Sequence, residues 1–212
     1  MKIVGERPEG LRARQKRETR QLISDVATRL FLERGYDNVT IADVASAAGV
    51  ARMTVTNHFP LKEDLVLDLQ EELVNGMARA VSRRAPGESA LDAVRRDYGE
   101  RLSRRDPAIP DADAGWQRMV LGTPVLRARL RQLFDQAEAE LAAVLARETG
   151  DTGLAPRLVA AALADVERLL FEEGQRLVLD GEESEHIFAA LAGTARQAYD
   201  LLEPAVGDYA RR

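Results

Sequence analysis

Between Thr19 and Lys62 the apolar residues stop and restart at helical spacing three times, and that rhythm leaves few folds open. Leu22, Ile23, Val26, Ala27, Leu30 and Phe31 recur every three or four positions, one stripe of a helix that Gly35 ends. Thr40-Ile41-Ala42-Asp43 has the form of a capping box, a hydroxyl followed three residues later by an acid. Ile41, Val44, Ala45 and Ala48 make the buried side of that short helix, and Gly49 stops it. A third helix, Arg52 to His58, turns Val55 and Phe59 inward before Pro60 breaks it.

A helix, a short helix, a glycine turn and a second short helix form a helix-turn-helix, whose last helix can enter the major groove of DNA. A plain helical bundle shares the spacing but leaves unexplained why Arg52, Thr54, Thr56 and Asn57 depart from the buried line of Val55 and Phe59. Such hydrogen-bonding groups on a two-turn helix suit base edges and phosphates.

Helical periodicity continues over about Lys62–Ser82, Ser89–Arg105, Trp116–Leu121, a stretch from Thr123-Pro124 to about Glu148, Pro156–Leu179 and Glu185–Leu202. Asp106 to Gly115 reads as a loop, Thr123 as a hydroxyl cap with proline at the first helical position, and Pro204 as a stop. No strand alternation or repeat appears. The chain is therefore expected to be all-α, with about nine helices: a mobile basic arm over 1–18, a helix-turn-helix domain over 19–62 and a helical ligand-binding and dimerisation domain over 63–212.

Charge follows the same division. Residues 1–62 hold eleven Lys and Arg against seven Asp and Glu, net +4, which against the whole-chain −5 leaves −9 for the remainder. A basic head on an acidic body suits a confined DNA-binding module. Arg12, Arg14, Lys16, Arg17 and Arg20 either follow the minor groove as an arm or form a solvated charge run. Cysteine is absent and the two histidines, His58 and His186, lie far apart, so neither a metal nor a cofactor is expected. Nor is there a Ser-His-Asp arrangement, a glycine-rich phosphate loop or a carboxylate pair tied to a histidine, which argues against an enzyme. The longest apolar run, Leu158 to Ala164, is too short for a membrane span, and no apolar leader opens the chain. A cytoplasmic, nucleoid-associated location is expected.

Residues Leu30 to Ala45, Ala48-Gly49-Val50, Thr54-Val55 and His58 to Leu65 together resemble the TetR family of bacterial repressors, without a gap. The resemblance implies a dimer on a palindromic DNA operator. It implies that Thr40, His58 and Lys62 meet phosphates and that Arg52, Met53 and Thr54 face bases. Arginine suits guanine O6 and N7, and Met53 the thymine methyl. Thr56 stands where the family often has an aromatic, so its contact is shorter; Asn57 can serve a base or a phosphate.

The same resemblance implies a homodimer through the last two long helices, with stripes Leu158, Val159, Ala162, Leu163, Val166, Leu169, Leu170 and Ile187, Phe188, Leu191, Ala195, Tyr199, Leu202. Trp116 to Arg129 is similar to the mycofactocin-cluster regulators, a subgroup with an acyl-CoA-like ligand-binding domain. The small-molecule effector implied is apolar or acyl-CoA-like, lying among Tyr98, Leu102, Trp116, Met119, Phe134 and Phe171. The rival is a ligand-independent DNA-binding dimer or a partner-recruiting regulator.

Overall fold

The computed structural model describes residues 10–212, which divide into two compact units, the first ending at Asp68 and the second running from Leu69 to Arg212. All regular structure among the described residues is helical: α1 (Leu11–Arg34), α2 (Ile41–Ala48), α3 (Arg52–His58), α4 (Gln70–Ser82), α5 (Ala90–Ser103), α6 (Ala114–Gly122), α7 (Pro124–Thr149), α8 (Ala155–Leu179) and α9 (Ser184–Val206). Short 3-10 turns at Tyr36–Asn38 and Glu63–Leu65 complete the first unit.

In that unit α1 packs on α2 and α2 on α3, with Ile23, Ala27, Leu30 and Phe31 of α1, Val44 and Ala45 of α2 and Val55 of α3 all buried. Thr40 caps α2 as its sequence predicts: its Oγ1 accepts from the Asp43 N–H at 3.2 Å, and its own N–H donates to the Asp43 carboxylate at 2.8 Å. Gly49 ends α2 in the left-handed region, φ 67°, where a Cβ would be strained. The Val50 N–H then donates back to the Ala45 carbonyl at 3.0 Å, turning the chain into α3.

The structure corrects the sequence reading in four places. The arm expected over 1–18 is helical from Leu11 onward, because Arg, Gln, Lys and Glu are good helix formers and Arg14 pairs with Glu18 one turn on, at 2.7 Å. Residues 1–9 of that arm lie outside the described residues. The single helix expected over Lys62–Ser82 is divided. Leu65, Val66 and Leu67 are consecutive and all at most 6% exposed, which one face of a surface helix cannot achieve. A 3-10 turn buries them instead, with the Asp64 carboxylate accepting from the Leu61 N–H, and α4 starts at Gln70. Thr123 precedes α7 without a side-chain cap bond, so Pro124 alone marks the start. Helix α9 runs through Pro204 to Val206; the proline forgoes one backbone bond near the helix end without ending the helix.

The second unit packs α4 on α7, α7 on α8 and α8 on α9, with α5 against α4 and α9 and α6 against α7 and α8. Its main core joins Leu91, Val94, Leu141, Leu145, Leu163, Leu170 and Tyr199; a second cluster holds Ile109, Leu177, Ile187, Phe188 and Leu191. Gly174 admits the backbone of Pro110, since a Cβ there would stand 3.0 Å from the Pro110 carbonyl oxygen. The last residues fold back on the α4–α5 connection, with Gly87 donating to the Arg212 carbonyl at 2.7 Å and Arg212 to that of Glu88 at 3.2 Å.

Arg84 fastens this corner. Its side chain is 3% exposed, donates to the carbonyls of Val81 at 2.7 Å and Ala210 at 3.0 Å, and is ion-paired with Glu148. Removing Arg84 leaves Glu148 with only Arg212, 3.8 Å away, and strips two carbonyls of a donor. Arg84→Ala should lower the unfolding free energy by about 3 kcal/mol in a urea titration.

Candidate nucleic-acid interface and effector cavity

Helix α3 has two unlike faces. Val55, and Phe59 just after the helix, are fully buried. Arg52, Met53 and Asn57 are exposed, with Met53 at 69%, while Thr54, Thr56 and His58 are half-buried. An exposed methionine on a helix this short serves no core. Burying Val55 and Phe59 contributes about 2 kcal/mol each, ample to fix which face is displayed.

Thr56 spends its hydroxyl proton on its own helix, donating to the Met53 carbonyl at 3.1 Å, so only its acceptor lone pairs are left for another molecule. Thr40 Oγ1 likewise donates to the Asp43 carboxylate, at 2.6 Å. Those bonds to Thr40 hold the Asp43 carboxyl below the usual carboxylate range. Thr40, Arg52 and Lys62 border one shallow depression of the first unit. Lys62 is the least available of the three. Its Nζ donates to the Tyr36 carbonyl at 2.6 Å and lies 4.0 Å from the Tyr36 ring centroid. Burial depresses its ammonium, against the pull of Asp37 and Glu63. The phenol of Tyr36 donates to Glu63 at 3.1 Å and is raised well above its ordinary value, by burial first and then by that carboxylate.

The residue that sequence reasoning misplaced is Arg20. It belongs not to a free charge run but to the frame of α3. Its Nη1 donates to the His58 carbonyl at 2.7 Å, its Nη2 to the Asp68 carbonyl at 2.9 Å, and its guanidinium stacks 4.1 Å from the Phe59 ring centroid. A cation on the last carbonyls of a helix satisfies groups that the helix cannot. Ser24, one turn on, donates to the Asp68 carboxylate at 2.5 Å. No local pattern announces contacts that span this much chain. Arg20→Ala should cost about 2 kcal/mol of stability, read by thermal unfolding, because two charge-assisted bonds are lost.

Burial, and then Lys16 and Arg20, hold the His58 imidazole below the ordinary histidine value of 6.5. The folded chain therefore binds fewer protons there than the unfolded chain, and stability falls as the pH drops from above 6.5 toward the depressed native value. Replacing His58 with Gln should flatten the unfolding free energy between about pH 7 and pH 5.5 relative to the parent.

In the second unit a cavity of about 370 Å³ opens among α4, α5, α7, α8 and the α5–α6 connection. Of the six residues expected around an effector, Phe134 lines it. Phe134 and Phe171 meet edge to face at 5.6 Å, but Tyr98 is drawn into the core, its ring 6.4 Å from that of Tyr199. Leu102 packs against both apolar clusters, and Trp116 and Met119 are half-buried on α6. The six thus do not surround this cavity together, because aromatics at helical spacing serve the core first.

The cavity wall is more polar than expected. Arg101 donates to Glu167 at 2.5 Å and to Asp97 at 3.0 Å, and the Tyr199 hydroxyl donates to Glu167 at 2.9 Å. Burial alone would depress Arg101, but Glu167 and Asp97 outweigh it and keep the guanidinium charged. Of the two stripes expected at a dimer interface, Val159, Leu163, Val166, Leu170, Ile187, Phe188, Leu191, Ala195 and Tyr199 are buried within the chain. Leu158 and Leu169 are 58% and 54% exposed. Among the described residues no cluster of His, Asp and Glu is placed to hold a metal, and no helix is long and apolar enough to cross a membrane.

A first unit whose short third helix seats Val55 and Phe59 in the core and displays Arg52, Met53 and Asn57 has the form of a helix-turn-helix DNA-binding module. The model of bacterial regulatory proteins of the tetR family matches residues 23–69. The chain is 30% identical over 172 residues to the HTH-type transcriptional regulator TcmR of Streptomyces glaucescens, covering 77% of this chain and 76% of that one. It is 28% identical over 173 residues, 77% of this chain and 83% of the other, to MftR of Mycobacterium tuberculosis, named as a mycofactocin biosynthesis transcriptional regulator. The fold matches SmeT in its triclosan complex with a TM-score of 0.55 and 20% identity, covering 89% of this chain and 91% of that one. The chain belongs to the tetR family and is a DNA-binding transcriptional regulator.

Proposed function

We propose that this chain is a cytoplasmic repressor that binds a palindromic operator as a homodimer and is released by a small molecule taken up in the second unit. The observation that carries the DNA reading is the display of Arg52, Met53 and Asn57 opposite fully buried Val55 and Phe59. Arg52, Met53 and Thr54 read bases, Asn57 a base or a phosphate, and Thr56 accepts through its lone pairs. Thr40, His58 and Lys62 hold phosphates, with Lys62 contributing least because it must first give up the Tyr36 carbonyl.

Exposed Leu158 and Leu169 on α8 and Leu201 on α9, the last 80% exposed, support pairing through these helices. A two-fold pair offers two recognition helices to two half-sites and blocks polymerase without further contacts. The resemblance of Trp116 to Arg129 favours an acyl-CoA-type effector, and the cavity wall favours a charged one. Effector and operator then oppose each other by one coupling factor.

Fluorescence anisotropy of a labelled duplex from upstream of the chain's own gene, against a random duplex, tests this at about 0.15 M salt. The specific duplex should bind at least about 10³-fold tighter. Arg52→Ala should remove about 1–3 kcal/mol of that preference while leaving binding to random DNA nearly intact. Equal affinity for both duplexes would refute the reading.

A further inference from the structure

The cavity of the second unit has features that packing does not explain. Glu72, Gly76 and Arg79 of α4, and Arg83 directly after it, line it at spacings of four, three and four, one face of the helix and its end. Glycine inside a helix costs about 1 kcal/mol relative to alanine. Here, apart from its chain neighbours and the helix's own backbone, no atom lies within 4 Å of the place a Cβ at Gly76 would take, so no close approach requires the glycine, and the room beside it belongs to the cavity.

The charges on the wall divide into spent and unspent. Arg101 is held by Asp97 and Glu167, Arg96 by Glu88 and Glu100, and Arg104 by Asp106. Arg79 and Arg83 make no side-chain hydrogen bond or ion pair among the described residues. Against these two guanidiniums the wall leaves one carboxylate unspent, Glu72, which is exposed at the start of α4. Met77 and Phe134 supply apolar surface beside them. A volume of about 370 Å³ suits a compact molecule.

We infer that this cavity binds an organic anion, its acidic group held by Arg79 and Arg83 and its apolar body seated against Phe134, Met77 and the space beside Gly76. Guanidinium pairs take carboxylate, sulfonate and phosphate groups through two parallel N–H donors, which a neutral ligand cannot exploit. The regulatory meaning of the site rests on the effector reading above; the binding itself does not.

The test uses the full chain and two dyes that share an aromatic body, anionic 1-anilinonaphthalene-8-sulfonate and neutral N-phenyl-1-naphthylamine, with binding read by fluorescence titration. The double variant R79Q/R83Q should weaken the sulfonate dye about tenfold or more and leave the neutral dye unchanged, and R79K/R83K should recover much of the loss. Gly76→Leu, which fills open space and favours the helix, should exclude both dyes while the far-ultraviolet circular dichroism and thermal midpoint hold. Unaltered binding of the sulfonate dye to R79Q/R83Q, or of both dyes to a folded Gly76→Leu chain, would overturn the assignment. Displacement of the sulfonate dye by octanoate or by octanoyl-CoA supports it, and which competitor succeeds tells whether the anionic group held is a free carboxylate or a phosphate of coenzyme A. Operator affinity measured with the dye bound separates the two readings. Arginine-dependent binding with DNA affinity unchanged keeps the anion site and removes effector control. Release of DNA by the dye from R79Q/R83Q as readily as from the parent removes the anion site and keeps control.

Discussion

The seating of α3 governs everything the first unit can do. Two apolar side chains, Val55 and Phe59, have no solvent exposure, and the guanidinium of Arg20 closes over the Phe59 ring while bonding the last carbonyl of the helix. A seven-residue helix has no stability of its own in water. Tertiary contacts hold it in place, and through them the outward direction of Arg52, Met53 and Asn57 is fixed. The Gly49 turn supplies the other half of the constraint, because its left-handed backbone sets where α3 begins.

The second unit shows how one residue type serves two ends. Several of its arginines are committed to carboxylates: Arg84 with Glu148 at the corner where the last residues fold back, and Arg101 with Asp97 and Glu167 beside the cavity. Buried pairs of this kind specify an arrangement more than they stabilise it, since much of the Coulombic gain repays desolvation. On the cavity wall, where Arg96, Arg101 and Arg104 are paired, the guanidiniums of Arg79 and Arg83 beside Gly76 are the chemistry left over for a ligand.

Much of the architecture was legible in the sequence because it rests on local rules. The Thr40–Asp43 capping box, the Gly49 stop, proline at the start of α7 and the all-helical character all follow from residues within a few positions of each other. The failures share a physical cause. Arg20 reads as one more member of a basic run, and only the folded chain brings it to His58 and Asp68. Leu65, Val66 and Leu67 fit a helical pattern until their joint burial shows that a tighter turn serves them better. Tyr98 and Leu102 had the right composition for a pocket, but core packing absorbed them, while the cavity took charged residues that periodicity cannot flag.

The central claim is that α3 reads a DNA sequence and that two copies of the chain read it together. Selection from a library of random duplexes, using effector-free protein at moderate salt and sequencing the bound fraction, tests both halves at once. The account predicts enrichment of an inverted repeat whose half-sites are spaced by about one helical turn or a multiple of it. A bound pool with no enriched sequence, or with single unrepeated sites only, would contradict it.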